Sequence, residues 1–134
     1  MKKDIVFPTV EGIAVAIVRK INEINQSEWY VYFMNQNEYA LETLIVSSRG
    51  YGEIAGEKRQ TSVLRHAFGT VEPNSFVLIE PIDPALFVLN NEYWVSYYVG
   101  NQIYDKRFTF VPDSIVEENL IKISTLNMEG ILHE

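Results

Sequence analysis

The chain contains no cysteine. That excludes disulfides, thiolate zinc sites, iron–sulfur clusters and a cysteine nucleophile. Histidine is almost as scarce: His66 and His133 are the only two. Two distant histidines are a poor set for zinc, which takes three or four ligands. Basic residues are few as well, with 11 Lys and Arg against 18 Asp and Glu and a net charge of −7. Phosphate backbones are held by clustered Lys and Arg. Here the densest basic group is Glu57-Lys58-Arg59-Gln60, followed at a distance by Arg65-His66, and Lys2-Lys3 is the next. Neither forms a patch, which argues against a nucleic-acid partner. The acidic balance also opposes anionic membranes. Long hydrophobic runs are missing too. Gly12–Val18 stops at Arg19-Lys20, far short of the ~18–20 residues of a membrane span. No Gly-x-Ser-x-Gly elbow, Walker pattern or Asp-x-Asp-x-Asp-Gly loop occurs, so nucleophile, nucleotide and calcium motifs are all absent. No cofactor is expected.

What is present is apolar and aromatic. Of 134 residues, 47% are hydrophobic and 13% are aromatic. That length suits one domain, and that apolar content suits a packed core, not a disordered chain. Lys2-Lys3 resembles a signal-peptide n-region, but Asp4, Pro8 and Glu11 interrupt the apolar stretch that should follow. A cytoplasmic location is therefore expected.

Turn residues punctuate the chain every ~8–12 residues, the spacing of a sandwich or barrel. Gly12 to Ile24 reads as a long strand whose first half is apolar on both faces. Asn25-Gln26-Ser27 turns it into Glu28–Met34, an aromatic strand. Leu41–Ser48 reads as a third strand, and Gly50, Gly52 and Gly56 mark Ser48–Glu57 as a loop. Thr61–Val71 and Ser75–Glu80 read as strands, with Leu86–Leu89 as a short one. Gly100-Asn101 fits a two-residue primed turn. Counting outward sets Val99 opposite Gln102, Tyr97 opposite Tyr104 and Trp94 opposite Arg107. Trp94, Ser96 and Tyr98 then share one face, and Tyr93, Val95, Tyr97 and Val99 the other. Ser114 with Glu117 fits a capping box, predicting a short helical turn over 115–119 followed by a strand. Residues 113–134 hold five acids (Asp113, Glu117, Glu118, Glu129, Glu134) and one base, Lys122, and are expected at the periphery. The predicted fold is all-β: an antiparallel β-sandwich or partly open barrel of about seven to nine strands, with a short C-terminal helical turn.

Candidate chemistry is sparse. Val46-Ser47-Ser48-Arg49-Gly50 reads as a strand end with turn-forming serines. His66 alternates with Arg65, so one of the two faces inward or packs under the glycine-rich segment. Glu80 and Glu92 are the carboxylates to test as a pair across a cleft. The glycine segment, flanked by Arg49, Lys58 and Arg59, is the place for an anion or partner to dock. Aromatics favour strands and cores, yet Trp94, Tyr97, Tyr98 and Tyr104 put rings on both faces of one hairpin, and Arg107 stands where it can stack on Trp94.

The opening Met1–Gly12, with Leu89-Asn90-Asn91-Glu92-Tyr93-Trp94, resembles short bacterial β-rich proteins, some of which carry a phenylalanyl-tRNA synthetase subunit label. The chain has no class II synthetase motif, and the resemblance carries no functional residue over. The expected function is a non-catalytic binding or protein-interaction module, with a protein partner or a second copy as ligand. It would work through Trp94, Tyr97, Tyr98, Tyr104 and Arg107 and through Arg49, Lys58, Arg59 and His66. The alternative is a sugar- or anion-binding barrel or small enzyme, with Tyr97, Tyr104, Trp94 and Arg107 lining one pocket.

Overall fold

A computed structural model describes residues 9–134; Met1–Pro8, with the Lys2-Lys3 pair and most of the opening motif, lie outside them. Ten strands form two antiparallel sheets. They are β1 (Ile13–Ile21), β2 (Ser27–Asn35), β3 (Leu41–Ile54), β4 (Glu57–Gln60), β5 (Leu64–Val71), β6 (Ser75–Pro81), β7 (Asn90–Val99), β8 (Gln102–Phe110), β9 (Ile121–Ile123) and β10 (Met128–His133). The first sheet runs β6-β2-β1-β10-β9. The second runs β4-β3-β7-β8, with β5 also on β3. The fold is all-β as expected, and the two sheets do not close into a barrel. Among the described residues no helix is long and apolar enough to cross a membrane.

Alternation builds the core. β1 sends Ile13, Val15 and Ile17 between the sheets, β2 sends Val31 and Phe33, β7 sends Tyr93, Val95 and Tyr97, and β8 sends Phe108 and Phe110. Fully burying one such side chain is worth about 1.5–3 kcal/mol. The hairpin register is as counted: Val99 pairs Gln102, Tyr97 pairs Tyr104 and Trp94 pairs Arg107. Gly100 supplies the left-handed φ of +60° that the turn needs.

Four local expectations change. The glycine segment is not a loop: β3 runs on to Ile54, and Ala55-Gly56, both at positive φ, turn it straight into β4. Pairing with β7 on one side and β4 on the other outweighs the weak strand preference of Gly50 and Gly52. Leu86–Leu89 is not a strand, because Pro84–Val88 is a 3-10 turn whose start is capped by Asp83 accepting from the Ala85 amide. Ser114 makes no capping box. Its hydroxyl donates to the Val111 carbonyl, while Glu117 pairs with Arg19. The 3-10 turn itself is present over Glu117–Asn119, and strand β9 follows it. Residues 121–133, expected at the periphery, are built into the first sheet, with β10 lying directly against β1.

Candidate functional site

The two faces of the β7–β8 hairpin part the aromatic residues. Tyr97 and Tyr104 lie on the inner side, their rings stacked with centroids 5.4 Å apart and planes 9° from parallel. Tyr97 is only 3% exposed, and burial pushes its phenol up to about 12. These two are core. Trp94 and Tyr98 lie on the outer face of the second sheet, and Trp94 is 44% exposed. Trp94, Arg107, Tyr97 and Tyr104 therefore do not line one pocket; the strand pleat puts a sheet between the two pairs.

The outer face is organised around Trp94. The Arg107 guanidinium stands 4.3 Å from its ring centroid, a favourable cation–π distance. Across the sheet, Trp94 pairs with Ser47 of β3, which in turn pairs with Arg65 of β5. Two residues along, Arg49 Nε donates to Glu92 Oε2 at 2.7 Å, and the guanidinium also stands 4.7 Å from the Tyr51 ring centroid. The Glu92 carboxylate holds Arg49 above its usual value. A groove of about 390 Å³ lies on one side of Trp94, between Ser47, Arg49, Val63, Glu92 and Arg107. A second of about 290 Å³ lies on its other side, against Arg65, Ile103 and Asp105. Lys58 and Arg59 are exposed on the β3–β4 hairpin, where Arg59 pairs with Glu57. They are not gathered into a cradle for an anion.

A second cluster lies between the sheets, toward the ends of β5 and β6 remote from the turn that joins them. His66 pairs in register with Val46, a core residue, and so faces inward, while Arg65 faces out. Its Nε2 stands 2.9 Å from Glu80 Oε1. Ser48 Oγ donates to the same oxygen at 2.6 Å. Burial, with the Glu80 charge behind it, holds the Tyr93 phenol well above its usual range. The cleft holds about 270 Å³ and has apolar walls at Leu64, Ile82 and Leu86. These groups are not a nucleophile relay. A relay sets the histidine between serine and carboxylate, and here the carboxylate sits between serine and histidine. Glu80 and Glu92 do not face each other either, since Glu92 points to the far side of the second sheet with Arg49.

Glu80 reaches the cleft through an irregularity that the sequence conceals. Strict alternation in Ser75–Pro81 would turn Val77 and Ile79 inward and Glu80 outward. A bulge opposite Val31 and Tyr32 shifts the register, so Glu80 pairs with core-facing Val31. Ser48 was legible only as a turn former, because its partner comes from the other sheet. Compared with family models, curated proteins and solved structures, the chain matches none of them. The reading of function rests on these two places.

Proposed function

We propose that the protein is a non-catalytic interaction module that docks a protein partner, or a second copy, on the outer face of the second sheet. The observation that carries this is Trp94: a large ring, 44% exposed, stacked by Arg107 and flanked by grooves on both sides. Trp, Tyr and Arg dominate the energetic centres of protein interfaces, because they give wide contact area at little cost in side-chain freedom. Tyr98 and Ile103 extend the apolar surface along the same face, and Arg65, Asp105, Arg49 and Glu92 supply a polar rim. The charged groups nearest Trp94 are engaged in stacking and ion pairing, not arranged as acid and base.

The test places a photo-reactive phenylalanine analogue at position 96, beside Trp94, and a control at exposed Lys122 on the other sheet. Irradiation of the purified chain and of cells containing it should give discrete adducts from position 96 alone, and W94A should reduce them several-fold. Equal labelling from both positions, or adducts indifferent to W94A, overturns the reading.

A further inference from the structure

Independently of the Trp94 face, we infer that the inter-sheet cleft at Glu80 is a binding site for a small organic cation, an ammonium or guanidinium carried on a short apolar chain. The carboxylate is only 14% exposed. One of its oxygens, Oε1, accepts from both Ser48 and His66, while no protein donor engages Oε2 among the described residues. No polar side-chain atom among those residues is both sealed from solvent and unpartnered, so Oε2 is reached by solvent, and Glu80 lines the cleft. No lysine or arginine neutralises Glu80. Arg49 also borders the cleft, but its guanidinium is held by Glu92. A half-enclosed carboxylate of this kind attracts a positive charge, and a charge-assisted hydrogen bond is stronger than a neutral one. The phenol of Tyr93 and the carboxamide of Asn91 also line the space, beside Leu64, Ile82 and Leu86.

The other ligand classes fit less well. An anion meets the Glu80 charge. A neutral molecule leaves Glu80 Oε2 without a charged partner, His66 and Ser48 being engaged on Oε1. A zinc ion takes at least three protein ligands, and no group of three His, Asp or Glu side chains is gathered among the described residues. A cationic head on Glu80 Oε2, with its carbon chain against Leu64, Ile82 and Leu86, satisfies both the charge and the walls. At about 270 Å³ the space admits a chain of a few carbons.

The experiment titrates the full chain with n-butylammonium, n-butylguanidinium, n-butanol and butyrate, following backbone amides and the His66 ring by NMR. The two cations should give saturable shifts at Ser48, His66, Glu80 and Tyr93. Butanol should bind about 10- to 100-fold more weakly, the factor a hydrogen bond to a charged group supplies. E80Q should lose the same factor for the cations and leave butanol unchanged. L64W, at an exposed wall position, should weaken every ligand, and it reports even where E80Q fails to fold. Absence of saturation by the cations overturns the inference, as do butanol binding as tightly as butylammonium, shifts located elsewhere, or cation binding indifferent to both variants.

Discussion

The two sheets share one core but present opposite outer faces. On the first sheet the outward row is apolar: Ala14, Ala16 and Val18 of β1, Tyr30, Tyr32 and Met34 of β2, Met128 and Leu132 of β10, and Ile123 of β9, with Leu126 from the β9–β10 turn. Small alanines in the central strand let the larger flanking side chains close over them, so Ala14 and Ala16 are fully buried. On the second sheet the corresponding row is Glu92, Trp94, Ser96 and Tyr98 of β7 against Thr109, Arg107, Asp105 and Ile103 of β8. The first outer face works for stability, as a satellite core. The second is left to solvent, with one exposed tryptophan at its centre.

Four measurements test the contrast. The largest effect belongs to the first sheet. A Cβ at Gly130 would stand 2.4 Å from the Ile17 carbonyl oxygen and 2.8 Å from Val18 Cγ1. G130V should therefore cost about 3 kcal/mol in denaturant unfolding by overpacking; a neutral result would mean that β10 does not lie tightly on β1. M34A, on the same sheet's outer face, should cost about 2 kcal/mol through the cavity it leaves. If urea midpoints show it no worse than an ordinary surface change, the satellite core is not a core. His133 comes next. Burial against Phe110, with ring centroids 4.2 Å apart, lowers its pKa in the folded state. The unfolded chain then binds the extra proton first, so His133 stabilises the fold above about pH 6.5 and that contribution fades as the pH falls. H133F should flatten stability between pH 7 and pH 5 relative to the parent chain. The smallest effect on stability should come from W94A on the second sheet, about 0.5 kcal/mol as for most surface positions, while its adducts fall several-fold. A loss as large as that of M34A would make Trp94 a structural residue.

Much of this was legible along the chain. The apolar run Ile13–Val18 announced a strand buried on both sides, and it is. Gly100-Asn101 fixes a register that pairs Trp94 with Arg107, because a two-residue turn leaves one way to count. The glycines of 50–56 misled for a physical reason. Glycine signals conformational freedom, but a strand paired on both sides can hold it extended, and at Gly50 the space for a side chain is taken by Thr61, Leu89 and Asn91. Leu86–Leu89 misled because four apolar residues fit a strand or a 3-10 turn equally, and Asp83-Pro84 settled it as a turn through a cap. The Ser48–Glu80–His66 cluster was out of reach. It joins strands of two sheets, and a bulge reversed the face on which alternation places Glu80.

Composition and local pattern set the class of the protein: all-β, without thiol chemistry, with a net charge of −7 and aromatics on both sides of one hairpin. Those properties depend on composition and on near neighbours, which a linear chain carries in full. Only the tertiary structure decided which aromatic face is core and which is free, that the two sheets stay open, and that one carboxylate lies half-buried between them with an oxygen to spare. Those depend on which strands become neighbours across the sandwich, and long-range pairing with a single register shift leaves no periodic mark in the residues that make it.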